Sequence, residues 1–437
     1  MMKKSFYNIY QRIDSKNVLY NTISGAVVVL DEEDAKLYNQ ISSLDKGKEN
    51  GAKKKFMDDM IRGGFLIADE IDESAIIKQV TLNSRNSTNS CAFTIAPTMA
   101  CNFSCPYCFE KGRKYNTMNQ GTINGVIEFI NKSIDNLSDI TNIGKFVSLS
   151  WYGGEPLLAP EIIKEITDGI CKEKIQFDAS IVTNGFYLDK KMAMFLKALH
   201  IDHAQVTIDG PPKIHNERRC LQDRKDTFFH ILNNISEACE YISITIRINV
   251  DKNNMADIDE VLYHLDEFNL KGKVNIYLAP VDNINGTFIN SPCLAAQEFS
   301  EYEAAFYSKH ICDGYTFIYL PSFNPDVCGA VCKDTFVIDP IGDLYKCWNE
   351  IGMKEYSCGN IYSNLMNENV KKWDTYDHEF YEDCKSCKFL PICMGGCPYH
   401  NLKVGEKRCM HIAYNYHDML RLLLDLSQIK EDETLDA

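Results

Sequence analysis

The chain has 437 residues, is 45% hydrophobic and 24% charged, and carries a formal net charge of −15. That length accommodates about 3 domains, and the composition is that of a globular protein with a sizeable core. The acidic balance argues against nucleic acid as the main partner, because phosphate contacts need a basic surface.

Eighteen cysteines are many for this length. The start, Met1-Met-Lys-Lys-Ser-Phe-Tyr7, runs into polar residues, so no signal-peptide core is read there. No apolar run approaches the roughly 18 residues of a membrane span. The expectation is a cytoplasmic protein with no membrane partner. Its thiols stay reduced, and its clustered cysteines read as metal ligands rather than disulfides.

Residues 1–85 read as a separate unit. Tyr20–Gly25 has turn chemistry, and Ala26–Leu30 is a short β-rich run. Asp31 caps a helix, with Asp34 three residues on. A lysine-rich helix follows near Ala52–Arg62, and Gly63–Ile67 reads as a hairpin strand. Short strands with two or three helices suggest a winged-helix module, and polar Asn83–Ser90 reads as a linker.

From 91 to 311, strand and helix patterns alternate. Strands are expected at Phe93–Pro97, Phe146–Tyr152, Ala179–Thr183, His203–Asp209, Ile242–Val250 and Val274–Leu278. Helices are expected at Gly121–Asp135, Pro160–Lys172, Asp189–Leu199, Thr227–Cys239, Met255–Phe268 and Ala295–His310. Such a series is an α/β pattern, with a parallel sheet curving into a partial (β/α)6 TIM barrel. Ile242, Ile244, Ile246, Ile248 and Val250 share one strand face, and Ser243, Thr245, Arg247 and Asn249 share the other. Helices should cover the apolar face, leaving the polar face to line a cavity. An antiparallel sheet with one wet face is the competing reading.

Chemistry concentrates at the expected strand ends. Cys101, Cys105 and Cys108 stand at C-x3-C-x2-C spacing after the first strand, with Tyr107 before the last. Three thiolates without a local fourth would leave one iron of a [4Fe–4S] cluster open. A zinc site with a remote fourth ligand is the alternative. Trp151-Tyr-Gly-Gly-Glu-Pro156 closes the second strand, where two glycines permit close backbone approach. Thr183-Asn-Gly185 ends the third, and Thr207-Ile-Asp-Gly-Pro211 ends the fourth, with His215 and Arg219 downstream. A buried Arg247 needs an anionic partner, either a ligand carboxylate or a structural ion pair.

These motifs resemble the radical S-adenosylmethionine (SAM) superfamily. The resemblance implies that Cys101, Cys105 and Cys108 hold a [4Fe–4S] cluster. It places Tyr107 beside the adenine of SAM, and Gly153, Gly154, Glu155 and Pro156 at its methionine amine. Thr183, Asn184 and Asp209 then sit near the ribose and the adjoining pocket, and Arg247 faces the cofactor carboxylate. The general base and other catalytic residues stay unassigned.

The cysteine-rich tail carries a second pattern. Cys332-x9-Gly342-x4-Cys347 precedes Cys384-x2-Cys387-x5-Cys393-x3-Cys397 and Cys409. It resembles the SPASM extension of radical SAM enzymes, which implies two further [4Fe–4S] clusters. Cys328, Cys332, Cys347 and Cys397 would hold the first, with Cys312 and Cys358 as rivals of Cys328. Cys384, Cys387, Cys393 and Cys409 would hold the second. Paired C-x2-C and C-x3-C runs also fit Zn²⁺ when read alone. Cys91, Cys171, Cys220, Cys239 and Cys293 read as ordinary thiols.

The expected domains are a winged-helix module at 1–85, resembling a PqqD-like recognition domain that binds a leader peptide as an edge strand, a radical SAM partial barrel at 91–311, and a bridging region with SPASM domain at 312–410. A C-terminal helix and acidic tail follow at 411–437. This layout resembles the radical SAM/SPASM peptide maturases, most closely those that join lysine to tryptophan in streptide. The implied activity is an intramolecular Lys–Trp carbon–carbon crosslink in a ribosomally made precursor peptide, with flavodoxin or ferredoxin as reductant. Thioether-forming sactipeptide synthases and anaerobic sulfatase-maturing enzymes share much of the layout. A zinc-bearing peptide-binding scaffold is the non-enzymatic alternative.

Overall fold

The computed structural model describes every residue except 1, 42–50, 140–143, 171–174, 284, 285, 287–291, 316, 318, 319, 326, 327, 364, 380, 404, 406, 436 and 437. Cys171 therefore lies outside the described residues.

The N-terminal unit holds strands β1 (Met2–Lys4), β2 (Asn8–Ile13), β3 (Lys16–Asn21) and β4 (Val27–Leu30), then helices α1 (Glu32–Gln40) and α2 (Ala52–Arg62). Strand β5 (Leu66–Ala68) and helix α3 (Glu73–Arg85) complete it. Asp31 caps α1 as expected, accepting from the Asp34 amide at 2.7 Å. Strands β2–β3–β4 form an antiparallel sheet. The segment expected as a hairpin strand behaves differently: β5 pairs with β1, from Met2↔Ala68 to Lys4↔Leu66. Both strands are three residues long and find each other across the whole unit, which local patterning does not reveal. The expected linker also begins inside α3, whose amphipathic face runs on to Arg85.

The central sheet is built from β6 (Ser90–Ile95), β7 (Lys145–Trp151), β8 (Ile175–Thr183), β9 (His203–Ile208), β10 (Ser243–Val250) and β11 (Asn275–Pro280). They lie in sequence order, each parallel to the next. This excludes the antiparallel reading. The helices between them are α4 (Gln120–Asn136), α5 (Pro160–Gly169), α6 (Lys190–Ala198), α7 (Pro212–Arg218), α8 (Phe228–Ala238) and α9 (Asp259–Glu267), and α10 (Ala296–His310) follows β11. Ile244, Ile246, Ile248 and Val250 are at most 1% exposed and pack in one continuous core with Ile231, Leu232, Ile235 and Val261. Helix cover on this face turns the other face inward, and that difference positions the site.

The C-terminal region is not a detached appendage. Strand β12 (Thr335–Ile338) joins β6 in parallel, and β13 (Asp343–Tyr345) and β14 (Gly359–Asn360) extend the same sheet antiparallel. Cys384 and Cys393 end short helical turns, Cys387, Cys397 and Cys409 lie in the connecting loops, and α11 (Ile412–Leu435) ends the described chain. Among the described residues no helix is long and apolar enough to cross a membrane.

The N-terminal unit is tied to this region. Tyr20 donates to the Pro321 carbonyl at 3.0 Å, Thr22 to that of Lys388 at 2.6 Å, and Gln11 to the Tyr416 hydroxyl at 2.9 Å. Arg85 is buried, and its guanidinium donates to the carbonyls of Val331, Trp373, Asp374 and Tyr376 at 2.7–3.3 Å. Arg85→Met leaves these carbonyls without that donor. It should lower stability by about 3 kcal/mol, read as a shifted midpoint in anaerobic urea unfolding.

Glu303 on α10 is buried against α11, where Asn415 donates to its Oε2 at 3.0 Å. Burial pushes its carboxyl up from 4.5 to about 7. The folded chain therefore holds this proton more tightly than the unfolded one. Its contribution is complete below the unfolded value and fades as pH rises through the folded value. Glu303→Gln should remove part of the stability lost between about pH 5 and about pH 8, measured by urea midpoints at both ends.

Candidate active site

The carboxyl ends of β6 to β11 open onto a cavity of about 910 Å³. The loop after β6 carries Cys101, Cys105 and Cys108, and all three line the cavity. Burial pushes the Cys101 thiol up to about 12 and the Cys105 thiol to about 11, and raises Cys108 as well. Buried thiols stay protonated and inert unless a cation or metal draws off the proton.

Gly153 and Gly154 hold the loop after β7 against this segment. A Cβ on Gly153, whose φ is +116°, would meet the Thr98 carbonyl oxygen at 2.5 Å. One on Gly154 would meet the Ala100 carbonyl oxygen at 2.2 Å. The Gly154 and Glu155 amides donate to the same two carbonyls at 3.1 and 2.8 Å. Close approach is the reason for glycine at both positions.

Glu155 is 1% exposed. Its Oε1 accepts from the Thr183 hydroxyl at 2.6 Å and the Leu157 amide at 3.0 Å, and its Oε2 accepts from the Asn184 amide at 2.7 Å. Burial raises its pKa against these hydrogen bonds. The carboxylate thus clamps the end of β7 to the end of β8. Pro156 is buried beside it as the first residue of a short 3₁₀ turn. Asn184 extends the clamp, donating to Asn102 Oδ1 at 2.8 Å beside Cys101.

A second network fixes the other side of the cysteine loop. The Tyr107 hydroxyl donates to Asp209 Oδ2 and accepts from Arg219 Nη1 at 2.8 Å. Asn249 Nδ2 donates to Asp209 Oδ1 at 3.1 Å. His215 is fully buried, and its Nδ1 accepts from the Asp209 amide at 3.4 Å. Its Nε2 therefore carries the proton and faces the Thr227 hydroxyl at 3.2 Å. Burial and the Arg219 charge hold its pKa well below the ordinary value, so the ring is neutral.

Among the expected cofactor residues, Tyr107, Gly153, Gly154, Thr183, Asn184 and Arg247 line the cavity with the three cysteines. Glu155 and Asp209 instead direct their carboxylates into the two networks. Arg247 lies in the strand face expected to be polar, where its Nε donates to Asn249 Oδ1 at 2.8 Å. Its guanidinium stands 5.9 Å over the Tyr277 ring. No carboxylate of the described residues pairs with it, so it is open to an anionic ligand. Arg219 and Asn249 carry more of the geometry than their sequence context signalled. The alternation of β10 put Asn249 on the face of Arg247, and Arg219 stood out downstream of the Thr207–Pro211 run.

The tail cysteines fall into two neighbourhoods. Cys347 is buried, and burial with the neighbouring Cys328 and Cys397 raises its thiol. The Cys332 Sγ lies 3.6 Å from the Cys328 carbonyl oxygen. Cys393 is raised by burial and by Cys409 and Cys387, and Cys384 by burial, Cys393 and Cys387. Of the rivals to Cys328, Cys312 is exposed, while Cys358 is buried in the same apolar cluster as Cys347. Cys91 and Cys220 are buried, and Cys239 and Cys293 half-buried. Among the described residues, no three His, Cys, Asp or Glu side chains converge tightly enough to hold a single metal ion.

Residues 95–265 match the family model of the radical SAM superfamily. The chain is a radical SAM enzyme. Its radical SAM fold resembles anSMEcpe with bound AdoMet, at a TM-score of 0.59 and 19% identity over 77% of this chain and 99% of that one. It also resembles SuiB of Streptococcus suis bound to the precursor peptide SuiA, at a TM-score of 0.53 and 15% identity over 93% of this chain and 98% of that one. In sequence it is 28% identical to a cysteine-type anaerobic sulfatase-maturating enzyme of Clostridium novyi, over 68% of this chain and 84% of the relative. It is 22% identical to the radical SAM cyclopropyl synthase TigE of Paramaledivibacter caminithermalis, over 95% of this chain and 92% of the relative.

The family implies a [4Fe–4S] cluster and SAM. The cavity fits both: it offers three thiols on one loop, two glycine backbones and an unpaired arginine. Gly154→Ala forces the loops apart without touching a thiol. It should weaken SAM binding at least tenfold by anaerobic calorimetry, with iron content unchanged.

Proposed function

We propose that this radical SAM enzyme is a peptide maturase that forms an intramolecular carbon–carbon bond, lysine to tryptophan, in a ribosomally made precursor. Cys101, Cys105 and Cys108 hold the cluster that binds SAM, next to Gly153, Gly154, Thr183, Asn184 and Arg247. Tyr107, Glu155, Pro156 and Asp209 shape that pocket from behind. The two tail neighbourhoods hold two auxiliary [4Fe–4S] clusters: Cys328, Cys332, Cys347 and Cys397, and Cys384, Cys387, Cys393 and Cys409. When bound, SAM and the three clusters supply a 5′-deoxyadenosyl radical and an outlet for the electron that a net oxidative coupling releases.

The chain's own residues contribute binding, orientation and exclusion of water. Arg247 offers a fixed cation to a carboxylate in the cavity. The helix-covered sheet and the C-terminal region close two sides of the cavity, so a carbon radical meets its target rather than solvent. A reductant such as flavodoxin or ferredoxin fits the cytoplasmic setting expected of a chain with this many reduced thiols.

The observation that carries the peptide reading is the N-terminal unit. It is integrated into the molecule through Tyr20, Thr22 and Arg85. Similarity to TigE and to SuiB extends over 95% and 93% of the chain, whereas similarity to the sulfatase-maturating enzyme spans 68%. We assign residues 1–85 to binding the precursor's leader, in the manner of a winged-helix recognition module. The second reading, a sulfatase maturase, rests on the 28% identity to the Clostridium novyi enzyme.

Cys101→Ala should abolish 5′-deoxyadenosine formation and leave most of the iron bound. Undiminished formation would sink the assignment. Wild-type enzyme should remove two hydrogens from a precursor that contains Lys and Trp, read by mass spectrometry. Oxidation of a sulfatase-derived cysteine or serine peptide instead would select the second reading.

A further inference from the structure

One part of the cavity is not used by the cofactor reading. Phe109, Tyr152 and Trp348 form a row of rings. Tyr152 lies 5.6 Å from Trp348 at an interplanar angle of 20°, and 6.2 Å from Phe109. All three line the cavity. They come from three separate segments: Phe109 follows Cys108, Tyr152 precedes Gly153, and Trp348 follows Cys347. Trp348 is 49% exposed, whereas Trp151 and Trp373 are fully buried. About half of the Trp348 surface is thus left uncovered at one end of the row.

Beside this row stands Glu110, which lines the same cavity and is 6% exposed. Its buried Oε1 has no hydrogen-bond partner among the described residues. The nearby Arg113 guanidinium faces its charge but makes no hydrogen bond to that oxygen: Nη2 donates to the Asn349 carbonyl at 2.7 Å, and the group rests 5.2 Å over the Phe109 ring. An unpaired buried carboxylate is costly, and a ligand that brings a donor removes that cost. The other charges at the cavity are differently committed. Arg219 holds Tyr107, and Asp282 is paired with Arg408 at 2.5 Å. Arg247 suits an anion, and Lys111, Arg224 and Glu217 also line the wall.

We infer that Phe109, Tyr152, Trp348 and Glu110 form a subsite for a cationic side chain on an aliphatic stem, a lysine of the peptide substrate. This rests on the cavity being the reaction site for a peptide. The stem packs along the rings, the ammonium gains from their faces, and the carboxylate supplies the counter-charge. A neutral aliphatic or aromatic group fills the row but leaves Glu110 unpaired. An acidic one is repelled. Selectivity therefore resides in the ammonium, because a site built around a buried polar group discriminates strongly against a ligand that lacks its partner.

The test uses holoenzyme labelled with 5-fluorotryptophan, kept anaerobic and followed by ¹⁹F NMR. The chain has three tryptophans, and Trp348→Phe identifies the exposed one. The probes are n-butylammonium chloride, the lysine side-chain fragment, and n-butanol, its neutral counterpart. The Trp348 signal should shift saturably with n-butylammonium, and n-butanol should need at least tenfold higher concentration. Glu110→Gln should weaken the n-butylammonium response about tenfold and leave that of n-butanol unchanged. No shift of the Trp348 signal, equal responses to the two probes, or an undiminished response in Glu110→Gln overturns the inference. If Glu110→Gln does not fold, the comparison of probes on the wild-type enzyme decides. Formation of 5′-deoxyadenosine in the same preparation separates the two readings. If it persists while the probe fails, the subsite is wrong and the radical SAM site stands.

Discussion

The Glu155 carboxylate is the joint on which the cavity depends. A carboxylate this deeply buried is tolerated only when its lone pairs are filled, because desolvation of an ion costs several kcal/mol. Here a hydroxyl and two backbone amides fill them. Thr183 and Asn184 stand at the end of β8 and Leu157 follows β7, so the bonds that keep the carboxylate stable also fix the end of β7 against the end of β8. Gly153 and Gly154 bring the same loop into backbone contact with the residues before Cys101. Displacing any one of these pieces would expose the charge or break the glycine contacts, so the loop of cysteines inherits its position from the clamp.

The Tyr107–Asp209–Arg219 network does the same for the far side of that loop. A phenol between a carboxylate and a guanidinium ties the cysteine segment to the ends of β9 and α7, and Asn249 brings β10 into the same network. The polar residues thus differ in what they do. Some are consumed in holding loops. Thr183 and Asn184 hold loops and line the cavity at once, and Arg247 stays on the cavity surface without a carboxylate partner among the described residues. Glu110 stands apart from these, and its unpaired oxygen makes it the most unusual anion of the site.

The C-terminal region enters this arrangement by extending the central sheet. Pairing of β12 with β6 carries Cys347 and Trp348 toward the cavity, where Trp348 stacks on Tyr152. The N-terminal unit is drawn in as well, through Arg85 and the strands that meet the tail. The C-terminal region thus builds part of the cavity wall, and the N-terminal unit is anchored to that region rather than to the cavity itself.

Much of this was legible in the sequence. Strand and helix order from 91 to 311 follows from hydrophobic period, and the alternation in Ile242–Val250 correctly separated the helix-covered face from the cavity face. The C-x3-C-x2-C run and the double glycine pointed to loops that line the cavity, because such chemistry constrains residue type and local spacing. Tertiary structure alone decided the rest. Strands β1 and β5 are too short to announce themselves and exist through each other. Whether Glu155 and Asp209 face a ligand or a neighbouring loop depends on donors brought from distant segments. The ring row that includes Trp348 required two regions some 200 residues apart to share one sheet. Period and spacing are properties of a stretch of chain, whereas the direction of a side chain and the identity of its partner are properties of the packed whole.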